Sequence, residues 1–379
     1  MNRNIVLLVL VANLLGSCQS VNNEADDSAI VVEFKKEEIA ASDLVNDYTI
    51  IIPSSPNDDA LVYNYDKVLL SEERCYILDQ RGNRLVAFDM NGGFVASTAN
   101  MIGNGPNEYI RLTDATIDNN RGLIYLYCDA PYSLIVLDYD LSFIKKVDLG
   151  NLLLFEIASD ENFIYGISRD EKNPLLQKLV AIDKNTYSVS ESILEYDKGV
   201  ESVFGGKALM PTKNGVFLCF TFDDVIYKIS DKKVVNKYLL DLGDKGTKFP
   251  NISTSNAKAF YDDNINSHYS LQNFTTSDSL LIFGSNKIAT FVLDMNSKEC
   301  VCYERSLYSD ILPFHSQRII PSEGRSEVII WKTMNDAILN CLKYWEEEDM
   351  WHRYDEHTIN HLKGLSEDDN PVLVIWNFK

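Results

Sequence analysis

The sequence is poor in positive charge, and it lacks the short motifs that mark common catalytic and nucleotide-binding sites. Its 379 residues contain 35 Lys and Arg against 56 Asp and Glu, which gives a formal net charge of −21. Nucleic-acid binding requires clustered basic residues, so this balance argues against nucleic acid as a partner. The chain has no GxSxG, no phosphate-binding loop, no GxGxxG opening a helix and no paired CxxC. We therefore expect no resident cofactor and no metal ion.

Glycine and proline are also ordinary in number, which argues against a disordered or fibrous chain. There are 18 Gly and 10 Pro, whereas Tyr (20) and Phe (17) are plentiful. Aromatic residues favour strands over helices. With 45% apolar and 24% charged residues, the chain has enough apolar side chains for a globular core. The composition thus predicts a folded protein rich in β structure.

The N-terminus carries a short hydrophobic run that is typical of a signal peptide. Residues 5–12 are apolar, follow Arg3 and are too few to span a bilayer stably. The run ends in Leu-Gly-Ser before Cys18, a pattern that resembles the lipobox of bacterial lipoproteins. This resemblance implies a signal peptide over residues 1–17 and a lipid-modified Cys18. The alternative is an ordinary signal peptide cleaved near a coincidental cysteine.

Residues 18–44 are polar and acidic and are interpreted as a tether between the anchor and the folded domain. Gln19 after the modified cysteine implies, by the same resemblance, the outer membrane of the cell envelope. The acidic residues 24–27 resemble the surface-export signals of Bacteroidetes lipoproteins, but a plain solvated linker fits them equally well. The side of the membrane therefore stays open.

Most of the remaining cysteines are interpreted as small buried apolar residues. Cys75, Cys128 and Cys219 lie inside apolar strand patterns, and Cys300 and Cys302 are neighbours on one strand face, where a bridge between them would distort the strand. No spacing resembles a zinc site. We therefore expect no disulfide framework.

An internal repeat indicates the fold. Similar strand–turn–strand segments recur, each punctuated by a polar residue, at Asp89, Asp138, Asp183, Ser230 and Asp294. Their spacings are 49, 45, 47 and 64 residues, and another apolar strand precedes each segment. Four strands every 45–50 residues is the period of a propeller blade. A sandwich of unrelated hairpins is the alternative, but it does not predict the regular punctuation.

Counting the units predicts an all-β, six-bladed β-propeller of four-stranded blades over residues 45–379. The last blade lacks its fourth strand at the C-terminus, and residues 47–53 can supply it beside residues 371–378. This closure by an N-terminal strand would remove two exposed sheet edges. Apolar residues at helical spacing predict a helical insertion over residues 335–365 within the last blade.

Two segments resemble a known repeat family. Residues 75–92 (CYILDQRGNRLVAFDMNG) resemble the NHL repeat, and residues 103–109 (GNGPNEY) resemble the link between NHL-like blades. Together with the lipobox and the late helical insertion, they resemble the six-bladed β-propeller lipoproteins of Bacteroidetes. This resemblance implies the fold. It implies no single function, because NHL propellers include protein binders, RNA binders and enzymes.

The predicted functional surface is the face around the propeller channel. Turns between second and third strands and links between blades emerge there, and they are expected to bring together six ligand-binding residues: Arg81, Asn104, Asn107, Glu108, Tyr109 and Arg169. Their mixed donors, acceptors and aromatic ring suit a sugar or peptide. The alternative is that residues 103–109 only shape a turn, with Glu108 satisfying local backbone donors.

The sequence also contains two sets of candidate metal ligands, but neither matches the pattern of a known metal site. His352, His357 and His361 could hold Zn²⁺, but they do not form HExxH, and a solvated helix face is the better interpretation. Asp223-Asp224 and Asp262-Asp263 could bind Ca²⁺, but they lack the regular oxygen spacing of calcium loops.

The sequence therefore predicts a non-catalytic, lipid-anchored outer-membrane propeller of the cell envelope. It would bind a glycan, a peptide or an envelope protein partner on its channel face. A metal-assisted hydrolase or lyase at the channel mouth is the alternative.

Overall fold

Residues with high strand propensity fill most of the chain and form short antiparallel strands. The computed structural model describes residues 28–169, 173, 176–197, 207–247, 262–277, 279–305, 307–308, 318–320, 322–324, 328–348, 356–366 and 368–378. Within these residues, runs such as RCYILD and LIYLYCDA are strands that are buried along most of their length. The structure is all-β with a few helices, as predicted.

The strands are short, and the helices lie mainly near the C-terminus. The strands up to residue 196 are β1 (Ile30–Lys35), β2 (Ile39–Ala40), β3 (Val45–Ile51), β4 (Lys67–Leu70), β5 (Arg74–Asp79), β6 (Arg84–Asp89), β7 (Phe94–Ser97), β8 (Arg111–Asp118), β9 (Leu123–Ala130), β10 (Tyr132–Leu137), β11 (Phe143–Asp148), β12 (Leu154–Ser159), β13 (Phe163–Arg169), β14 (Gln177–Asp183) and β15 (Leu194–Tyr196). The later strands are β16 (Leu209–Thr212), β17 (Gly215–Leu218), β18 (Val225–Ser230), β19 (Lys233–Asp241), β20 (Gln272–Thr276), β21 (Leu280–Gly284), β22 (Thr290–Asp294), β23 (Cys300–Tyr303), β24 (Leu307–Tyr308), β25 (Arg318–Ile320), β26 (Ser322–Glu323), β27 (Val328–Thr333) and β28 (Val372–Phe378). The helices are α1 (Ala41–Leu44), α2 (Asn335–Glu347) and α3 (Glu356–Leu362), with short 3₁₀ turns at Asp58–Ala60, Thr98–Met101 and Gly243–Lys245.

Consecutive strands pair with one another, so the chain completes one antiparallel group before it starts the next. β8–β11 and β12–β15 form four-stranded sheets, and β25, β27, β28 and β3 form another. β4–β7 carry β26 on their first edge, which makes a five-stranded sheet. β16–β19 and β20–β23 are joined through β1 into one nine-stranded sheet.

The first strands of successive groups lie side by side around a common axis. β4 contacts β8, β8 contacts β12, β12 contacts β16, and β16 contacts β20. β26 contacts both β4 and β16, so it also lies at this axis. Groups of antiparallel strands set around a shared axis form the β-propeller arrangement.

The N-terminal and C-terminal strands pair as the sequence predicts. β3 runs antiparallel to β28, with Ile51 opposite Leu373 and Tyr48 opposite Trp376. Leu373 and Trp376 are fully buried. Residues from the two ends of the chain thus share one sheet, which confirms the predicted pairing of residues 47–53 with residues 371–378.

The prediction of a tether reaching to residue 44 is wrong for its second half. β1 runs parallel to β19 with its first residues and parallel to β23 with the others, so that Ile30 lies opposite Leu240 and Val32 opposite Cys300. Ile30 and Val32 are buried in the core shared by these two groups. The exposed Val31 and Glu33 alternate with them. A half-buried strand with charged outward residues therefore looks like a polar linker in the sequence.

The helical insertion forms where it is predicted, between β27 and β28. Ile338, Leu342 and Trp345 of α2 pack with Val374 and Trp376 of β28 in one apolar cluster. The helices therefore cover the sheet that contains β3 and β28. In the part of the chain that the structure covers, no helix is both long and apolar enough to cross a bilayer.

The cysteines in the described residues are free thiols. Cys75, Cys128, Cys219, Cys300 and Cys302 are buried, and Cys341 is half-buried. Burial raises the pKa of the Cys75 and Cys300 thiols to about 12. The prediction of buried apolar cysteines without disulfides is confirmed for these residues. Cys18 lies outside the described residues.

Candidate functional site

The turn between β5 and β6 meets the link to the next group on one face of the molecule. Asn83 makes the hydrogen bonds of this contact. Its side-chain amide donates to the Ile110 carbonyl at 2.8 Å, and its Oδ1 accepts from the Leu112 amide at 2.7 Å. Asn83 has a positive φ of 58°, a conformation that asparagine tolerates better than most residues. The exposed Arg81 lies in the same turn. A second-to-third-strand turn and a link between groups therefore lie together, as predicted.

The link at residues 103–109 is held by its own glutamate. Glu108 Oε2 accepts a hydrogen bond from the Gly105 amide at 2.7 Å. A Cβ at Gly103 would lie 2.1 Å from Glu108 Oε2, and one at Gly105 would lie 2.9 Å from the same carboxyl group, so both glycines leave room for it. Glu108 thus satisfies a local backbone donor. This agrees with the alternative interpretation, in which residues 103–109 only shape a turn. Asn104 and Asn107 are exposed.

Tyr109 lies in the core, not on the surface, so its prediction as a ligand contact is wrong. Its side chain has 0% exposure and packs between the first two groups. The hydroxyl lies 2.7 Å from Thr98 Oγ1 and donates to the Asn83 carbonyl at 3.0 Å. Burial raises the pKa of Tyr109 well above its usual value. This ring positions the link and the turn beside each other.

Arg169 lies elsewhere, in a cleft between the third and fourth groups. It is the last residue of β13, opposite Gln177 of β14, and its guanidinium carbon lies 4.5 Å from the centre of the Phe155 ring. The structure therefore does not gather the six predicted residues into one site. Arg81 accompanies the link at residues 103–109, whereas Arg169 belongs to a separate recess.

This cleft combines apolar walls with buried polar groups. Its free volume, including the part open to solvent, is about 300 Å³. The apolar lining comes from Phe155, Ile167, Ala208 and Phe220, and the polar lining from Glu156, Arg169, Gln177 and Thr221, with Cys219 between them. A few polar groups set in apolar walls are typical of small-molecule sites. We refer to this site as the Arg169 cleft.

Glu156 is fixed at the wall of the Arg169 cleft by the neighbouring group. Only 4% of the residue is exposed, and its Oε2 accepts hydrogen bonds from the amides of Ala208 and Leu209 at 2.8 and 2.9 Å. Burial raises the pKa of the Glu156 carboxyl group, and the nearby charge of Lys207 opposes this effect only in part. The carboxyl group is therefore tightly positioned and easier to protonate than a surface glutamate.

A buried ionic cluster fills the axis where the first strands meet. Lys67 is fully buried, and its ammonium group donates to the carbonyl oxygens of Ala115 and Ile157 at 2.9 Å each. It also lies 3.3 Å from Asp114 Oδ2 and forms an ion pair with Glu323. We call Lys67, Asp114, Lys207, Glu156 and Glu323 the axial cluster.

The other members of the axial cluster are equally well held. Lys207 Nζ lies 3.1 Å from Asp114 Oδ1, and the Thr116 hydroxyl donates to Glu323 Oε2 at 2.6 Å. Burial would raise the pKa of Asp114, but Lys207 and Lys67 hold it below its usual value. Burial raises the pKa of Glu323 despite its contact with Lys67. Lys67 and Lys207 thus contact the carboxylates of Asp114 and Glu323, and Glu156 adds a nearby negative charge.

Sequence reasoning missed the axial cluster, although a signal was present. Lys67, Asp114 and Glu156 each lie in the first strand of a repeat, among residues that are mostly buried. A charge repeated at the innermost strand of successive groups indicates that the charges meet at the axis.

The candidate metal ligands do not form a site in the described residues. No group of three or more His, Cys, Asp or Glu side chains is arranged there to hold a metal ion. The pKa of Asp224 is raised to about 6 by burial and by the nearby Asp223 and Asp241. His352 and the side chains of His357 and His361 lie outside what the structure describes.

Comparison with known proteins gives a family match and structural neighbours. The family model described as "Domain of unknown function (DUF4934)" matches residues 29–377. A search of curated proteins found no match.

Two crystal structures of Bacteroides proteins resemble nearly the whole chain. A protein of Bacteroides fragilis that is described as exported superimposes with a TM-score of 0.68 at 16% identity, over 93% of this chain and 100% of the other. A member of the DUF4221 family from Bacteroides vulgatus gives a TM-score of 0.53 at 12% identity, over 91% and 99% of the two chains. BamB from Moraxella catarrhalis gives 0.39 at 13% identity, over 75% of this chain and 70% of the other. The first two similarities show a shared fold.

Proposed function

The chain belongs to the DUF4934 family, and from this starting point we propose that it is a non-catalytic β-propeller that binds a polar ligand in the Arg169 cleft. The observation that carries the proposal is the cleft itself, because the Arg169 guanidinium group, the buried Glu156 carboxyl group and apolar side chains line one recess. A guanidinium fork held in place binds polar groups with directional hydrogen bonds.

We further propose that the strand groups are the six four-stranded blades of one ring. The support is the order of strands: β4–β7, β8–β11, β12–β15, β16–β19 and β20–β23 are five antiparallel groups of four, and β25, β27, β28 and β3 make a sixth. In this count β1 and β26 are additions that bridge neighbouring blades.

The axial cluster makes ligand binding at the axis itself unfavourable, so we propose binding at a face of the molecule. Lys67, Asp114 and Glu323 are fully or almost fully buried where the first strands meet, so their contacts fill the axis. A ligand that displaced them would leave buried charges without partners, which costs several kcal/mol. A cleft between two groups avoids this cost. Arg81, Asn104 and Asn107 are proposed as a second contact surface, separate from the Arg169 cleft.

Export to the cell envelope and a lipid anchor on Cys18 belong to the same proposal. The support is the hydrophobic run and lipobox-like residues of the sequence, together with the similarity to a Bacteroides protein described as exported. We propose the outer membrane as the location and a glycan, a peptide or an envelope protein as the partner.

The test is binding by the full chain and by matched arginine variants. Thermal-shift screening with a panel of oligosaccharides and short peptides identifies a binder, and calorimetry measures its affinity. Arg169→Ala should weaken binding about tenfold to hundredfold, as expected for one lost charge-assisted contact of about 1.5–3 kcal/mol. Arg74→Ala is the control, because Arg74 is the first residue of β5, at the end of that strand remote from the β5–β6 turn, and pairs with Asp140. Equal loss in both variants would contradict the proposal.

A further inference from the structure

We propose that the face around the β5–β6 turn docks an extended peptide segment of a partner protein, with an acidic residue between two apolar ones. This inference rests on the second contact surface of the proposed function, whose partner it specifies, and it does not use the Arg169 cleft. The observation behind it is that exposed side chains of three kinds meet at this turn: Tyr63, Arg81 and Ile110. We call these three residues the Arg81 surface.

Two hydrogen-bonding side chains hold the parts of this surface together. Asp79 is fully buried, and its carboxylate accepts hydrogen bonds from the Tyr63 amide at 2.9 Å and from the Gly82 amide at 2.8 Å. Asn83, in the same turn, donates to the Ile110 carbonyl at 2.8 Å. The turn is therefore held against both Tyr63 and Ile110.

The two apolar members of the Arg81 surface are open to solvent. Tyr63 is 59% exposed and Ile110 is 51% exposed. The guanidinium carbon of the buried Arg84 lies 5.5 Å from the centre of the Tyr63 ring, and Arg84 also donates to the Asp58 carbonyl at 2.9 Å. A fixed cation thus supports the ring from the protein side. Exposed aromatic residues and arginine are typical of the centres of protein interfaces.

Arg81 supplies a charge that is free to bind a partner. It is exposed, and among the residues that the structure describes it has no hydrogen-bond or ion-pair partner. The neighbouring charged side chains are already occupied: Arg84 contacts Asp79, Arg111 pairs with Asp129, Lys146 donates to the Glu108 carbonyl, and Glu108 accepts from the Gly105 amide. A guanidinium group binds a carboxylate with two parallel charge-assisted hydrogen bonds.

Acidic residues at the Tyr63 end determine where the charge of the partner lies. Asp58 and Asp59 are exposed there, whereas Asp66 accepts a hydrogen bond from the Gln80 amide at 2.8 Å. An incoming carboxylate is repelled by these side chains and attracted by Arg81. The acidic residue of the partner therefore faces the turn, and an apolar residue faces Tyr63.

An extended peptide supplies these groups in the required order. Alternate side chains of an extended chain point to the same side and are spaced by roughly 7 Å. An acidic side chain opposite Arg81 then has apolar side chains on both sides, one for Tyr63 and one for Ile110. A saccharide with a carboxylate would satisfy Arg81 but carries no aliphatic side chain to cover Ile110.

The experiment measures binding of capped peptides to the full chain by fluorescence anisotropy. The library carries a central aspartate or glutamate with apolar residues on both sides, and each peptide has a twin in which the central acid is replaced by its amide. We expect an acidic peptide to bind and its amide twin to bind about tenfold more weakly, because the charge-assisted pair with Arg81 is lost. Saccharides that contain a carboxylate are measured in parallel.

Variants with matched controls locate the contact. Arg81→Gln should bind the acidic peptide and its amide twin equally, and Tyr63→Ala should weaken both by about tenfold, with unchanged circular dichroism. Arg305→Gln and Tyr344→Ala remove an exposed arginine and an exposed tyrosine from other parts of the molecule and should bind like the unmodified chain.

The outcomes separate this inference from the proposed function. Arg169→Ala should leave peptide binding unchanged. If saccharides with a carboxylate bind through Arg81 and no peptide does, the peptide inference is wrong and the second contact surface stands. If no peptide binds, if acidic and amide twins bind alike, or if Arg305→Gln weakens binding as much as Arg81→Gln, the inference is wrong. If peptides bind through Arg81 but no compound depends on Arg169, the inference holds and the proposal for the Arg169 cleft fails.

Discussion

Replacing Lys67 by methionine is expected to destabilise the protein strongly, although the two side chains are similar in length. Lys67 is fully buried and is the partner of two carboxylates, Asp114 and Glu323, in the axial cluster. Methionine would leave those groups and the carbonyl oxygens of Ala115 and Ile157 without the ammonium donor.

The expected size of the effect follows from the number of lost contacts. Removing one partner of a buried ion pair costs about 3–5 kcal/mol, because the remaining charge stays in a poorly solvated place. For a chain of this length, unfolding entropy converts this loss into a fall of the melting temperature by roughly 4–7 °C. Lys233→Met on the exposed start of β19 is the control and should change stability by less than about 0.5 kcal/mol.

The pH dependence distinguishes lost charge pairing from lost packing. Burial already raises the pKa of Glu323 above its usual value, and without Lys67 this rise should be larger, whereas Asp114 keeps Lys207 as a partner. A carboxyl group with a raised pKa in the folded state stabilises below its unfolded pKa and loses that stabilisation as pH rises through the folded value. The deficit of Lys67→Met should therefore be larger at pH 8 than at pH 5. A pure packing defect would be independent of pH.

The assay is chemical and thermal unfolding of the full chain, followed by circular dichroism at both pH values. Adding Glu323→Gln to Lys67→Met should recover part of the lost stability, because one uncompensated charge is removed with its former partner. If the double variant is less stable than Lys67→Met, or if Lys67→Met melts like the unmodified protein, the assignment of the axial cluster as a mutually dependent charge network is refuted.

Three further predictions concern the N-terminus and a buried histidine. Cys18→Ala should move the protein from the membrane fraction to the soluble fraction, and retention after a carbonate wash would contradict the lipid anchor. Deleting residues 30–35 should lower the melting temperature and promote self-association, because the edges of β19 and β23 lose their shared neighbour; deleting residues 19–27 should do neither. Burial lowers the pKa of His268 to about 4 from 6.5, so the neutral form is favoured in the fold and stability should fall as pH drops from 6.5 to 4. His268→Gln should reduce that fall in thermal melts, and an unchanged slope would show that other groups cause it.

The sequence predicts the strands and the pairing of the chain ends because both depend on local patterns. The segment DYTIIIP and the final PVLVIWNF are each recognisable as strands. Because the last unit lacks its fourth strand, the sequence predicts that these two segments pair with each other. The helices of the insertion are likewise visible in the spacing of Ile338, Leu342 and Trp345. Local periodicity is sufficient for such elements.

The features that the sequence did not predict depend on distant partners. β1 looks like an acidic linker because half of its residues face water, and only its pairing with residues near 240 and 300 makes it a strand. Tyr109 looks like a surface aromatic residue in a turn, and only the packing of Thr98 and Asn83 around it shows that it is buried. Arg169 is predicted to lie in a turn between a second and a third strand, whereas the structure has it as the last residue of β13, and its neighbours across the group boundary decide which cleft it lines.

The position of β1 also affects the order in which the strands can pair during folding. β1 is synthesised first, yet its partners near residues 240 and 300 emerge from the ribosome much later, and β3 must wait for β28 at the C-terminal end. Contacts between residues so far apart in sequence close large loops and form slowly. A nascent chain therefore leaves β1 and β3 without these partner strands until residues 300–303 and 373–378 have been synthesised.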